Sequence, residues 1–369
     1  MNVPVGSSLL VLLAFRAMAG HAQMVVPFTS NVERSMIFAG KRFMEVDPRP
    51  PKRAFAMDGA LLFQDHNGHL GYFQVQGRQS SLLERSTVDE VQVAGDRAAW
   101  RMHDTLKVLR SGVSKLVATG VERFRVSDSL VVFHDSIEHE LVTLWKGQRI
   151  PLATLEQGST RPQWTQGGNT VTFFDRSARS VTLFHRGELR TLTDSTDVGI
   201  AVNGTDIVAY WDDVRAEFMG ETDGAPVRLS GMKPISAQAG DGLLAFVDGT
   251  LKLKCWSGSE VITLTDSMPS QYWVKDRTLL YLAGGVLMLL GPDGPLAVEK
   301  YVPEKWQVED DLLVYLDINR ELRGIQNGER LRFGREAGID GFELFGDAVL
   351  YRSPAGPITV VRNGRSYTF

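Results

Sequence analysis

NGTDIVAYWDDVRAEFMGETDGAPVRL, residues Asn203–Leu229, contains a tight Asn-Gly turn, an apolar run closing on Tyr210 and a turn opened by Asp212. A second run, the Gly224 turn and a returning run complete it. Short Gly, Asn and Asp pairs between alternating apolar runs mark tight hairpins, because such turns need positive φ at low steric cost. The stretch therefore reads as three successive antiparallel strands. The same phrase recurs along nearly the whole chain.

Two landmarks measure the recurrence. An aromatic ends the most apolar run of each unit: Phe28, Phe63, Trp100, Phe133, Phe173, Tyr210, Phe246, Tyr281, Tyr315 and Tyr351. A glycine marks the following hairpin, from Gly40, Gly77 and Gly112 through Gly187 and Gly224 to Gly364. Both series advance by about 36 residues, a period that belongs to repeat architectures. A third marker, a Gly/Asn/Asp pair upstream of the aromatic, recurs at Asp58-Gly59, Gly95-Asp96, Asn203-Gly204, Asp241-Gly242 and Asp310-Asp311. Each unit then reads as four strands, the first carrying Trp164, Trp273 or Trp306.

A four-stranded meander cannot bury both of its faces alone. Stacking such sheets around an axis buries both faces and leaves only short edges, which predicts an all-β propeller of about ten four-stranded repeats. No window sustains a 3.6-residue apolar period, which excludes a helical solenoid. Ten repeats allow one ring or two five-bladed rings parted near Thr193–Gly199, and the lack of a linker there favours one ring. Repeat one starts almost on its second strand, at Met24–Phe28, so its first strand is missing from the pattern.

Residues 1–22 read as a secretory signal, with Leu9–Phe15 as apolar core and cleavage expected after Ala22. Residues 23–369 form the repeat domain. Because no later run of about 20 apolar residues occurs, no membrane span is expected. A composition of 43% apolar and 23% charged residues is ordinary for a globular chain. The net charge of −4, without a basic cluster, argues against nucleic-acid partners. Cys255 is the only cysteine and alternates with Leu251 and Leu253, the pattern of a small buried apolar group.

Pro162–Asp194, PQWTQGGNTVTFFDRSARSVTLFHRGELRTLTD, resembles a blade of the TolB-like propeller repeat, with Pro162, Trp164, Gly168, Phe173, Leu192 and Thr193 in the corresponding places. The resemblance implies an exported bacterial propeller, like the secreted propellers of bacteria with an outer membrane. It carries no function across.

Second-to-third-strand turns and inter-blade loops share one rim of a meander ring. Asp65, Asp135, Asp175, Asp212, Asp248 and Asp317 all lie two residues past the landmark aromatic on that rim. A ring of carboxylates could hold a cation or a polyhydroxylated ligand, but a turn-opening Asp ordinarily caps its own backbone N–H groups. His66 and His103 occupy equivalent turns of adjacent blades, with His69 and His139 close by, and imidazoles so placed could share a metal. The zinc spacing His-Glu-x-x-His is absent, so no metal and no cofactor are expected. No Gly-x-Ser-x-Gly elbow or phosphate-binding glycine loop occurs. Glu309-Asp310-Asp311 and Asp212-Asp213 offer paired acids of the kind that cleave glycosides, but neighbours on a strand point to opposite faces.

The expected function is a non-catalytic extracytoplasmic scaffold that binds a protein, peptide or glycan through one rim. The rim residues named for it are His66, His69, His103, Asp135, His139, Asp175 and Asp212. The rival readings are a carbohydrate-active propeller enzyme, marked by unrepeated carboxylates converging at the axis, and a structural envelope or assembly factor. Periplasm, outer surface and external medium are all compatible with the signal.

Overall fold

The computed structural model describes residues 23–155, 163–194, 201–222, 224–334 and 336–369. The expected signal and its Ala22 cleavage point, and most of the 193–199 stretch where two rings could part, lie outside these residues. Among the described residues there are 39 strands and no helix. None of the structure is therefore long and apolar enough in helix to cross a membrane.

The strands form ten antiparallel sheets, nine of four strands and one of three, each built from consecutive strands. Blades one to ten span residues 26–47, 53–84, 90–118, 121–154, 164–193, 201–230, 236–263, 272–297, 306–332 and 342–368. In blades two to ten the landmark aromatic lies on the second strand, and the residue nine places earlier is its ladder partner on the first. Ala54 faces Phe63, Trp164 faces Phe173 and Phe342 faces Tyr351.

A separate apolar cluster fills each blade-to-blade interface around the ring. Leu62 and Tyr72 of blade two meet Ala98 and Trp100 of blade three, and Leu322 of blade nine meets Phe342 and Tyr351 of blade ten. Closure follows the same rule: Val26 and Phe38 of blade one pack with Ala348 and Val360 of blade ten. The molecule is one ring of ten blades. Blades five and six, between which the sequence would allow two rings to part, are joined by a polar network. Thr165 and Thr172 Oγ1 both donate to Asn203 Oδ1, and Thr170 Oγ1 donates to the Gly204 carbonyl at 2.8 Å.

A second device ties the inner strands together. Gln238 donates its amide to the Tyr272 carbonyl and accepts from Val274 N–H, at 3.1 and 2.9 Å. Gln92 treats Phe124 and Val126 of blade four in the same way, and Gln307 treats Phe342 and Leu344 of blade ten. Each side-chain amide thus imitates one peptide unit of a ladder between blades.

One position in the strand reading needs correction. Trp164 and Trp306 pair with their landmark aromatics, but Tyr272 is the residue that faces Tyr281. Trp273 is one place later, so the pleat turns it to the other face. There its ring meets that of Trp306 edge-on at 4.9 Å.

Blade one consists of β1 (Val26–Thr29), β2 (Ser35–Ala39) and β3 (Arg42–Asp47), in that order across the sheet. Phe28 makes β1 the counterpart of the second strands elsewhere. Gln23 takes the place of a first-to-second-strand turn: Gly59 N–H donates to its carbonyl at 3.1 Å, as Asp58 N–H donates to Gly95. Among the described residues no strand occupies the innermost position of this blade, in keeping with the repeat pattern.

Candidate functional site

The rim of second-to-third-strand turns holds the residues named from sequence, and the structure shows what their side chains do. Asp135 Oδ1 accepts from Ile137 and Glu138 N–H, and its other oxygen takes Arg149 at 3.0 Å. Asp175 accepts from Ser177 and Ala178 N–H. Asp212, nearly buried, accepts from Val214 and Arg215 N–H and from Thr193 Oγ1. Asp65, Asp248 and Asp317 cap their turns alike. The repeated carboxylates serve the turns, as their repetition implied.

The histidines of this rim do not form one cluster. His69 Nδ1 lies 3.1 Å from Asp65 Oδ2 within its own turn. His66 stands in a cleft of about 280 Å³ formed with Asp47–Pro51. His103 and His139 each hold a left-handed turn position, with φ of 56° and 54°. Among the described residues, no three of His, Cys, Asp and Glu converge as a metal site.

The opposite end of the ring carries further carboxylates, among them Asp241 and the Glu309-Asp310-Asp311 run, together with Asp276, which the sequence did not single out. The first-to-second-strand turns form a hydrogen-bonded collar: Ser129 N–H to Gly168, Thr205 N–H to Gly240 and Asp241 N–H to Asp276. The collar is tight at Gly204 and Gly240, where the next turn's carbonyl leaves no room for a Cβ. It gathers Asp241, Asp276, Asp310 and Asp311 beside Arg277 around an opening of about 590 Å³. Burial, then repulsion from Asp276, pushes the Asp128 carboxyl above the ordinary range, although Asp128 comes from the far side of the ring. Burial and the charges of Asp276 and Asp311 do the same to Asp310. Glu309 is raised by burial despite Lys275 Nζ at 2.6 Å. The recurrence of Asp at the turn upstream of the aromatic was the available signal.

At the seam between blades ten and one lies a third feature, a cleft of about 370 Å³. Pro27, Phe28 and Thr29 line one side, and Lys305, Phe342, Glu343 and Arg352 line the other. In the other nine blades the landmark aromatic is buried, at 9% exposure or less. Phe28 alone is half-buried, since among the described residues no strand lies where one covers each of its counterparts. Its ring rests edge-on against Phe43 and Phe369, at 5.8 and 5.3 Å. Arg362, only 5% exposed and paired with Asp347 of its own blade at 2.9 Å, crosses the seam by donating to the Met24 carbonyl at 2.6 Å.

The model of the 10-bladed beta propeller domain family matches residues 19–367 of the chain. No curated protein matches it. Among solved structures it is similar to the computationally designed Ika8 protein, at 12% identity over 82% of this chain and 93% of that one, with a TM-score of 0.36. It is similar also to PorZ, a bacterial surface component of the type-IX secretion system of Porphyromonas gingivalis. There the identity is 12% over 95% of this chain and 59% of PorZ, with a TM-score of 0.29. Apo AztD from Citrobacter koseri shares 11% identity over 84% of this chain and 93% of its own, with a TM-score of 0.37. Ten sheets closed blade on blade and a family match running almost end to end lead to one assignment: the chain belongs to the 10-bladed beta propeller domain family.

Proposed function

We propose that this protein is an exported binding scaffold without chemistry of its own, holding a protein, peptide or glycan at the seam of its ring. The observation that carries the reading is Phe28, the one landmark aromatic left half-buried, beside a cleft where each of the other nine blades has a first strand. Rigid scaffolds with one open position bind without large ordering costs. The capped rim aspartates support the same reading, since their oxygens are already committed to backbone N–H groups. Leu9–Phe15, the small residues up to Ala22 and the TolB-like pattern of Pro162–Asp194 support export, to periplasm, outer surface or medium.

Calorimetric titration of the processed protein with peptide and oligosaccharide panels, with product analysis, tests the proposal. Saturable binding without turnover, lost in Phe28→Asp, is the expected result. Turnover of an oligosaccharide would remove the non-catalytic reading, and binding unchanged in Phe28→Asp would move the site to the His66 rim. N-terminal sequencing of protein from the native envelope tests export separately; a start at Gln23 is expected.

A second reading has its own observation. Asp128 and Asp310, with raised carboxyls beside Asp276, have the acid-and-carboxylate character that glycoside cleavage uses. Release of reducing ends from oligosaccharides, abolished in both Asp128→Asn and Asp276→Asn, would establish it.

A further inference from the structure

We propose that the open inner position of blade one takes an extended segment of another polypeptide, added as a fourth strand antiparallel to β1. The inference rests on the seam-scaffold reading and on removal of the leader after Ala22; among the described residues no strand fills the position.

Backbone geometry identifies the occupant as a strand. Ser30 N–H bonds Arg34 of the hairpin, so by alternation Thr29 and Pro27 turn their backbone groups away from β2, toward the cleft. The counterparts of Thr29 in other blades use those groups: Gln64, Arg101 and Val247 each accept a backbone N–H from the residue entering the first strand, namely Lys52, Asp89 and Ile235. β1 therefore offers the Thr29 N–H, the Thr29 carbonyl and the Pro27 carbonyl. Pro27 has no donor, which limits the ladder and fixes its register: the incoming residue opposite Pro27 donates and receives nothing in return.

The facing wall is built for the same guest. Glu343 follows Phe342 as Gln238 follows Ala237 and Gln307 follows Trp306, so it stands where the inter-blade amides stand. Those glutamines grip the next inner strand; Glu343 has no next strand and is exposed. Its carboxylate accepts an N–H from an incoming backbone and cannot donate, so it selects one side of the amide pair.

Side-chain chemistry follows from the other nine sheets. The residue opposite the landmark aromatic is always apolar, from Ala54 and Ala237 to Trp164 and Trp306. The guest strand accordingly needs an apolar residue over Phe28, flanked by residues that tolerate the channel. Strand addition of this kind derives affinity from main-chain bonds and specificity from alternate side chains.

The test uses processed protein, sequenced to confirm Gln23 at its start, and a fluorescein-labelled heptapeptide copied from Ile235–Asp241, whose Ala237 counterpart would cover Phe28. Saturable binding is expected, weakened at least tenfold by Thr29→Pro and by N-methylating the glutamine of the peptide, which faces Pro27. Hydrogen exchange at Thr29 N–H, read on the unmutated protein, should slow at least tenfold on binding, which keeps the test sound if Thr29→Pro misfolds. Absence of binding at millimolar peptide, indifference to N-methylation, or unchanged Thr29 exchange would each overturn strand addition while leaving a glycan at the seam open. If envelope protein keeps residues 1–22 and its Thr29 N–H is already protected, the partner source is wrong.

Discussion

Asp248 is 1% exposed and accepts from Thr250 and Lys252 N–H and from Lys254 Nζ at 2.8 Å. Burial alone would raise its carboxyl, but these donors outweigh it and bring the pKa to about 2. A carboxyl depressed in the folded state stabilises above its unfolded pKa and loses that contribution as pH falls from roughly 4 to 2. Asp248→Asn should therefore cost about 2 kcal/mol at pH 7 and almost nothing near pH 2, measured by urea unfolding across that range. Asp128 has the opposite sign. Its folded carboxyl is raised, so its favourable contribution exists at low pH and is lost as pH rises through the folded value. Asp128→Asn should raise the urea midpoint at pH 7 and leave it unchanged below about pH 4. The capping role of Asp135, Asp175 and Asp212 was legible in sequence because it is local. The charge effect of Asp276 on Asp128 was not, because it depends on ring curvature that faces distant turns toward one axis.

At the scale of the strand, the constant interval of nine residues between an inner position and its landmark aromatic sets the register of blades two to ten. Sequence patterning found the strands and their hairpins, and it found that blade one lacks its first. It placed Trp273 with Trp164 and Trp306 because residue type repeats more visibly than register does. Only the ladder, with Tyr272 opposite Tyr281, separates them. The inter-blade amides were equally hidden, since a glutamine on a strand gives no sign that its partner lies on the next sheet. Gln238→Leu would leave Tyr272 and Val274 backbone groups without partners near the axis, a loss of about 1–2 kcal/mol in chemical denaturation. Gln238→Glu should be no better, because the carboxylate keeps the Val274 bond and repels the Tyr272 carbonyl.

At the scale of the molecule, ten apolar interfaces make the ring one cooperative body, and the seam is the interface where a strand is absent. Arg362, held by Asp347 of its own blade, reaches across the seam to the Met24 carbonyl. Arg362→Met keeps the stem and removes the donors, with an expected loss of about 2 kcal/mol. Differential scanning calorimetry should show its unfolding transition broadened or split where the unmodified ring gives one. The number of blades was readable from the period; how the ring shuts was not, because closure joins residues more than 300 apart in the chain.

Every blade is contiguous in sequence, and closure uses side chains where a strand shared between the ends would otherwise serve. The unit of structure is therefore also the unit that an in-frame duplication or deletion copies or removes. A lineage can change the number of blades by one recombination event, without re-threading any sheet. The near-identical spacing of the ten repeats is what such a history of whole-unit copying leaves behind.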